Sequence, residues 1–539
     1  MQPDPKSQTS RNAVLLLILC AVALHGCAAL SAGALWRDEA NSIRQARLPT
    51  WTALVGSLEF DSFPALYPSI LRLWSSFPPA ASDAGLRFLG LLIGLTILAS
   101  FIPVARMLGT RWPIVALVLL GTSSLWISEG DSIRPYGLSL ALLLWTFGLM
   151  GRVAAGHTGR SLSGAVLFAV LAVQASYTNA IFVGAICLCA SGVTLVRGDR
   201  RTALLSLAPG GVAAITLSPY IGVLRRAQDW AVIVGTRPDW KQLLRELMFP
   251  CTPMMLLAWL IFLIPALMRL PAALRDVGEA GRPGRPALAY AGSVFLVGLA
   301  AQLLFIQASG LPLFPRYFLP VSMFGAFTLD LILAEVNPRW LATAAVASLL
   351  LSAWPDPATL LLRPWPPWAE LTMRHTNVDG IAAVLSSRTS PGDLVIVSPW
   401  FLATSFQRYY GGDAAWMSIP ELERAPMMRY DLVKRAMLNN YGVSGTEPVL
   451  RDVLRRGGTL WFVSQRRWTD FSRTEPPEPP APARSPGGAD YVRFRSYWER
   501  EIEYRLNSCC IRSEIASNGT APTRDEEDLI LTLWREKRR

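Results

Sequence analysis

Charged residues are scarce in this chain of 539 residues, where Asp, Glu, Lys and Arg together make up 17% of the sequence. Soluble domains carry about 25%. Hydrophobic residues reach 52%, and the mean hydropathy is +0.32. This composition argues against an ordinary soluble protein and is typical of a membrane protein.

Histidine and cysteine are also few, with three His and seven Cys in the whole chain. None of them shows the close spacing of metal ligands, so we predict neither a metal site nor another cofactor. Cys509 and Cys510 are adjacent. In an oxidising compartment they could form a vicinal disulfide or a bridge to Cys251, and the sequence does not decide between these pairings and free thiols.

Acidic residues are outnumbered by basic ones, 39 to 51, which gives a net charge of +12. The excess comes almost wholly from Arg. Many basic proteins bind nucleic acid, but these Arg residues are scattered between apolar blocks and form no basic stripe interleaved with aromatic side chains. We therefore expect a lipid bilayer, and no nucleic acid, as a partner.

Long apolar blocks are what the first two thirds of the chain has in abundance. Each has roughly 17 to 22 residues, enough to cross ~30 Å of hydrocarbon. The first block has a basic flank like that of a cleaved signal peptide, but its length and the acidic loop after it favour a retained span. The segment Ala65–Trp74 is too short and polar to cross, so we predict an amphipathic helix on the membrane surface. The predicted spans, about eleven in number, are 13–35, 86–105, 112–128, 137–150, 161–176, 180–196, 203–223, 252–268, 287–308, 317–334 and 340–354.

The placement of Arg predicts the orientation of these spans. If the N-terminus is cytoplasmic, each cytoplasmic joint carries Arg, whereas the short outer joints 177–179 and 309–316 carry none and one. The longer outer segment 224–250 is also basic, so the rule supports this topology without proving it. The chain is then a multi-pass protein of the plasma (inner) membrane, with a transmembrane domain over 1–355 and an external, periplasmic domain over 356–539.

The polar C-terminal third predicts a small α/β domain, because helical and strand patterns alternate there. We expect a parallel or mixed sheet, with a Pro-rich exposed insertion at 475–488. The predicted helices are 378–387, 401–410, 449–456 and 490–506, and the predicted strands are 393–398, 459–463, 509–517 and 528–534.

Polar side chains recur in the loops that this topology places outside, close to the membrane. Carboxylates at such positions can act as a general base on a hydroxyl group, while Arg and Tyr can hold a phosphate. Taken singly, each Arg could instead reach the lipid headgroups, and the acids could belong to a solvated loop. Together they suggest phosphate-ester or glycosyl-phosphate chemistry on a lipid carrier. The candidate residues are Asp38, Glu39, Asp61, Arg134, Tyr136, Tyr177, Arg316 and Tyr317.

Four motifs in this order resemble those of GT-C membrane glycosyltransferases, and over residues 13–335 the spacing also agrees. The similar group is the family-39-like branch, which includes protein O-mannosyltransferases and relatives of the lipid A aminoarabinose transferase. The motifs here are Asp38-Glu39-Ala40, Asp61-Ser62-Phe63-Pro64-Ala65-Leu66-Tyr67, Ile133-Arg134-Pro135-Tyr136 and Arg316-Tyr317. In the family, Phe63 is usually His and Ala65 is usually Pro. The first departure removes any contact made by that His, and it bears on the substrate more than on the reaction.

The resemblance implies a GT-C transmembrane domain and transfer of a sugar, with inversion, from a polyprenyl-phosphate donor at the outer membrane face. Such donors usually need no metal, because Arg can neutralise a phosphate monoester leaving group. Asp38 would be the general base, with Glu39 and Asp61 positioning sugar or acceptor. The other implied roles are phosphate binding for Arg134 and Arg316, assistance for Tyr136 and Tyr317, and a cavity lining for Tyr67 and Tyr177, for which simple packing is the alternative.

Neither the sugar nor the acceptor follows from the sequence, and the acceptor could be a lipid, a polysaccharide or a protein. Two other functions compete with transfer. One is transport of a lipid-linked sugar, although transporters usually place their charges near the bilayer midplane and in repeated halves. The other is a non-catalytic membrane scaffold whose outer domain binds a partner.

Overall fold

The computed structural model describes residues 5–61, 63–235, 239, 241–242, 284–310, 314–336, 367–422, 427–439, 443, 445–465, 478, 480–481, 487–515, 523–524 and 527–536. The predicted spans 252–268 and 340–354, the partner cysteine Cys251 and most of the Pro-rich insertion lie outside these ranges.

The first two thirds of the described chain is helical, as its apolar blocks predict. Within the described ranges, seven helical segments are long and apolar enough to cross a membrane, and their buried faces form one apolar core. The helices are α1 (Pro5–Ser31), α2 (Arg37–Ala46), α3 (Trp51–Gly56), α4 (Leu66–Trp74), α5 (Asp83–Met107), α6 (Ile114–Ala116), α7 (Ser124–Gly130), α8 (Tyr136–Ala154), α9 (Gly159–Ala175), α10 (Asn179–Val196), α11 (Arg200–Leu205), α12 (Ala208–Leu217), α13 (Ile221–Ala231), α14 (Gly284–Ser309) and α15 (Leu319–Val336).

The predicted span 112–128 is wrong as a single helix. The segment contains α6, a π-helical turn over Leu117–Gly121 and a break before α7. Asp330 of α15 explains where α6 begins, because its buried carboxylate accepts the backbone N–H groups of Val115 and Ala116 at 2.7 and 3.0 Å. Those N–H groups belong to the first turn and have no partner within the helix, so a side chain from another span caps them. The predicted span 161–176 is present as α9, with 17 residues.

The predicted amphipathic segment forms α4, one residue later than expected. Tyr67, Pro68 and Leu71 are buried on one side of this helix, whereas Leu73 is 60% exposed on the other. This one-sided burial agrees with the amphipathic pattern. Its location at the membrane surface stays a prediction.

The C-terminal part contains a mixed five-stranded sheet in the order β2-β1-β3-β5-β4, as helix–strand alternation predicts. Strands β2, β1 and β3 are parallel, and β5 joins β3 and β4 antiparallel. The strands are β1 (Leu394–Val397), β2 (Ala415–Ser418), β3 (Leu460–Gln465), β4 (Cys510–Ile515) and β5 (Leu529–Glu536). The accompanying helices are α16 (Val378–Arg388), α17 (Ala403–Tyr409), α18 (Tyr430–Leu438), α19 (Thr446–Arg455) and α20 (Gly488–Cys509).

Two elements of this sheet domain were not predicted. Strand β2 has only four residues, two of which are Ala and Ser, so it lacks the β-branched run that marks β1. Helix α18 covers a helical pattern that the sequence analysis did not identify. The sulfur atoms of Cys509 and Cys510 lie 2.9 Å apart.

The sheet domain packs on the segment that leads into α2. The His375 N–H donates to Ala32 O at 2.8 Å, and Gly33 forms a parallel bridge with Thr376. The Tyr409 hydroxyl accepts the Leu35 N–H at 2.7 Å. Backbone pairing of this kind fixes where α2 begins, and α2 carries the two acids that the sequence analysis placed at the centre of the chemistry.

Candidate active site

Asp38 and Glu39 lie in the first turn of α2, where carboxylates favour the positive end of the helix dipole. Their surroundings differ completely. The Glu39 side chain is fully buried, whereas the Asp38 side chain keeps 21% of its surface exposed. Neighbours on a helix point about 100° apart, so one turn directs one acid inward and the other towards the solvent-accessible side.

Glu39 is held from three directions. Arg87 of α5 donates to both of its oxygens at 2.5 and 2.8 Å, and the Ile133 N–H donates at 3.0 Å. The His375 Nδ1 atom of the sheet domain lies 3.5 Å away. Burial alone would raise the pKa of Glu39, but the positive charge of Arg87 outweighs it and holds that pKa well below its usual range. Burial and the charge of Arg87 lower the pKa of His375 to about 4, so its ring is neutral at pH 7.

Asp38 faces Arg37, whose Nε atom lies 3.6 Å from its carboxylate. The backbone carbonyl of Asp38 accepts from Arg134 at 3.3 Å, so the acid and the arginine are close together although they are far apart in sequence. Asp38 is therefore a partly solvent-exposed carboxylate next to the buried Arg134.

Arg134 is buried and bridges α2 to the loop that carries Asp61. It donates to the Ser42 hydroxyl at 2.9 Å, approaches Asp61 at 3.5 Å and lies over the ring of Phe63 at 4.8 Å. Burial would lower the pKa of Arg134, but Asp61, Tyr136 and Asp38 raise it above its ordinary value. The guanidinium group stays charged in a largely apolar setting.

Arg316 lies among aromatic rings at the start of the helical segment that contains α15. Its guanidinium carbon lies 4.1, 5.4 and 5.9 Å from the ring centres of Phe314, Tyr136 and Tyr317, and NH1 lies 3.7 Å from Glu129. A contact of 3.7 Å is longer than a hydrogen bond. Aromatic faces thus hold this cation more than a carboxylate does.

Phe63 joins the two arginine environments. Its ring packs edge-on against Tyr136 at 5.4 Å and lies under Arg134, while Tyr136 lies under Arg316. The order Arg134–Phe63–Tyr136–Arg316 makes one continuous stack of cations and rings. Phe63 is therefore held against Arg134 by a cation–π contact.

Several buried polar atoms of this cluster have no hydrogen-bond partner within the described ranges. Burial raises the pKa of both Tyr67 and Tyr177, with further contributions from Glu39 and Tyr220 respectively. Both tyrosines lie near the predicted acids and lack a bond that a ligand or water would supply. Among the described residues, these atoms are the hydroxyls of Tyr67 and Tyr177, the Nε atoms of Arg134 and Arg316, and His375 Nδ1.

The loop that carries Arg134 is seated in a groove of α5. Gly90 and Gly94 lie four residues apart on one face of that helix, and a Cβ at Gly90 would overlap the carbonyl oxygen of Asp131. The Asp131 carboxylate accepts from His25 Nδ1 at 2.8 Å, which ties the same loop to α1. Gly90, Gly94 and the His25–Asp131 pair therefore fix the position of the loop that carries Arg134 relative to the helices.

The structure thus brings Asp38, Glu39, Asp61, Arg134 and Tyr136 together by direct contacts, with Arg316 and Tyr317 on the far side of Tyr136. It also shows two residues that the sequence analysis missed, Arg87 and His375. A signal for Arg87 was present, because an arginine inside an apolar span is costly unless it is paired. His375 lies in the other domain, and no local pattern marks it. The described residues contain no group of three or more His, Cys, Asp or Glu that could hold a metal ion.

No family model matches the sequence, and no curated protein matches it. Among solved structures, the chain is similar to ArnT from Cupriavidus metallidurans, crystallised bound to undecaprenyl phosphate. The match covers 84% of this chain and 93% of that one, with a TM-score of 0.50 and 13% identity. At this identity the likeness shows the fold alone. It confirms the predicted fold, in which a helical part with several candidate membrane spans precedes a C-terminal α/β part, as in ArnT.

Proposed function

We propose that the protein is an inverting glycosyltransferase. Its donor is a sugar carried on polyprenyl phosphate, and its acceptor is a lipid, polysaccharide or protein at the outer face of the cytoplasmic membrane. One observation carries the proposal: the solvent-open Asp38 lies beside Arg134, whose Nε atom has no hydrogen-bond partner within the described ranges. Undecaprenyl phosphate in ArnT supports a donor of this class, because the two chains share a fold.

Asp38 would take the proton of the acceptor hydroxyl. The acceptor oxygen then forms a bond to the anomeric carbon as the bond from that carbon to the phosphate oxygen breaks. The electron pair leaves on the polyprenyl phosphate, and Arg134 and Arg316 neutralise its charge. Attack from the face opposite the phosphate inverts the anomeric centre. The leaving group is already a phosphate monoester, so this mechanism requires no metal.

Asp61 shares Arg134 with the incoming phosphate, and we assign it to positioning. Tyr136 and Tyr317 hold Arg316 by their ring faces and can add a hydrogen bond to the donor. The Tyr67 and Tyr177 hydroxyls, which have no hydrogen-bond partner in the part of the chain that the structure describes, lie in the same region, and this fits a role in lining the donor cavity. Arg would supply two parallel hydrogen bonds to phosphate, which Lys cannot reproduce.

The test begins with the substrates. Lipid and glycan profiling of a deletion strain identifies the product that disappears, and transfer is then measured with the purified protein in liposomes. We expect the reconstituted protein to form that product from a polyprenyl-phosphate sugar, and undecaprenyl phosphate to inhibit it by competition. Movement of the donor across the bilayer without transfer would instead establish a transporter. If neither transfer nor movement is observed, the non-catalytic scaffold function remains.

A further inference from the structure

The buried Glu39 carboxylate is the meeting point of three separate parts of the chain. Arg87 comes from a long apolar helix, Ile133 from the loop that carries Arg134, and His375 from the sheet domain. Arg87 also donates to the carbonyl of Ala34 at 3.0 Å, so it fixes the backbone just before α2 as well as the carboxylate on it.

We propose that Glu39, Arg87 and His375 form a positioning unit, which sets Asp38 and Arg134 at a fixed separation and makes that separation depend on docking of the sheet domain. The inference rests on the proposed function for its kinetic consequence, and on the contacts alone for its structural one. Glu39 is a positioning residue here, because its oxygens are engaged by Arg87 and Ile133 and its side chain is fully buried.

The contacts of this unit couple it to Asp38, to Arg134 and to the sheet domain. Asp38 follows Glu39 directly, because both lie in the same helical turn. Arg134 follows Ile133, whose N–H is bonded to Glu39. The His375 N–H is bonded to Ala32, so movement of the sheet domain would pull at the strand-like segment before α2 and at Glu39 together. Loss of any one contact therefore shifts the base relative to the phosphate binder.

His375→Asn tests the unit with the least damage to folding, since it removes only the 3.5 Å contact between His375 and Glu39. Glu39→Gln and Arg87→Lys test its centre. Matched controls are His157→Asn, an exposed histidine in a loop, and Glu59→Gln, which breaks the ion pair with the exposed Arg226. Each variant is purified in detergent, and its melting temperature, hydrogen exchange and transfer rate are measured.

The structural readout is exchange at a site that the mutated residue does not contact. We expect His375→Asn and Arg87→Lys each to speed exchange of the Ile133 amide by about tenfold or more, although neither residue bonds to it in the wild type. Both control variants should leave that amide unchanged. Faster exchange confined to the segment around each mutation would overturn the proposal.

The kinetic readout separates positioning from simple stability. A small misplacement of reacting groups costs about 10²-fold in rate, so we expect kcat to fall by about tenfold to a hundredfold in His375→Asn, with the melting temperature and undecaprenyl phosphate binding retained. Unchanged kcat in His375→Asn and in folded Glu39→Gln would refute the kinetic part. If the wild type transfers no sugar while the exchange coupling holds, the proposed function fails and the positioning unit stands.

Discussion

Asp38 and Glu39 show how two identical charges one residue apart acquire different capacities from their surroundings. Glu39 is saturated with donors and has its pKa held low, so it cannot exchange a proton near neutral pH. Asp38 retains an exposed edge, and its carboxylate lies 3.6 Å from the Nε atom of Arg37. Of this pair, only Asp38 has the access that a general base needs.

We predict that Asp38→Asn lowers the transfer rate by about 10²–10⁴, the usual worth of a general base, with donor binding intact. Asn keeps the shape of the side chain but cannot take a proton at neutral pH. Single-turnover transfer and undecaprenyl phosphate binding should be measured on one preparation. If Asp38 merely fixes the loop, the melting temperature and binding will fall together with the rate.

For the arginines, we predict that Arg134→Ala and Arg316→Ala each weaken donor use by about tenfold or more, from the ~1.5–3 kcal/mol of a charge-assisted hydrogen bond. Lys at either position should rescue only part of this, because a point charge lacks the planar fork. The measurement is kcat/KM for the donor in liposomes. Wild-type turnover by both folded Ala variants would make these residues headgroup anchors.

At the scale of elements, the site depends on close approach between a helix and a loop. Gly90 and Gly94 of α5 leave room for Asp131, and the loop continues directly into Ile133 and Arg134. A side chain at Gly90 would meet backbone, which cannot move aside as the end of a flexible side chain can. The position of Arg134 therefore depends on the small size of Gly90 and Gly94.

We predict that Gly90→Ala lowers stability by about 1–3 kcal/mol, the cost of overpacking, and reduces transfer as well. The matched control is Gly184→Ala in α10, where an added Cβ meets nothing within 4 Å. There Ala should be neutral or slightly stabilising, since Gly within a helix costs about 0.5–1 kcal/mol relative to Ala. Melting in detergent compares the two, and equal effects would contradict the close approach.

The elements that were predicted correctly from sequence are those with strong local patterns. Apolar length marked α5, α8 and α14, and the DLVIVS run marked β1. The start of α6 could not be predicted, because it depends on Asp330 from a distant span, and β2 is too short to show a pattern. Within the site, the motif residues were found, whereas Arg87 and His375 act through contacts that only the folded chain creates.

For the molecule as a whole, the sheet domain lies on the side of the helical part that carries α2 and the start of α5, because their residues bond directly. Asp83 accepts from Arg408 at 2.5 Å and from the Tyr409 hydroxyl at 2.6 Å, and Met428 N–H donates to Asn41 at 2.8 Å. We infer that this side is external, from the Arg-bearing joints at the other ends of the spans.

Cysteine labelling in intact cells tests that orientation. On a cysteine-free background, Ser387→Cys on the exposed face of α16 should react with a membrane-impermeant maleimide, while Arg160→Cys in the first turn of α9 should not. Both positions are exposed, so accessibility within the fold is matched. If only Arg160→Cys is labelled, the topology is the reverse of the predicted one, and the mechanism at the outer face is wrong.

Docking of the two parts should also depend on pH through Glu527. This carboxyl group is fully buried and accepts the Arg37 N–H at 3.0 Å. Burial raises the pKa of Glu527 to about 7 from its ordinary 4.5, with a further rise from Asp38 and opposition from Arg37. The folded state therefore keeps a proton that the unfolded chain loses, and this contribution to stability is lost as the pH rises from about 4.5 to about 7.

We predict that Glu527→Gln makes the protein more stable than the wild type above pH 7, by on the order of 3 kcal/mol, and equal to it near pH 4.5. The Gln carbonyl can still accept the Arg37 N–H. Melting temperatures of both proteins across this pH range provide the comparison, which cancels the titration of other groups. Parallel curves for the two proteins would show that Glu527 does not govern the pH dependence.

The bond between Arg37 and Glu527 joins residues 490 positions apart, and it fixes the order in which a newly made chain can become competent. Translation delivers α2 early, and the transmembrane helices can enter the bilayer long before the ribosome reaches the residues that clamp it. Until then Asp38 is carried on a helix without its outer supports. A nascent or prematurely terminated chain would thus be inserted in the membrane yet inactive. The function of α2, which is made early, would depend on the segment around Glu527, which is made last.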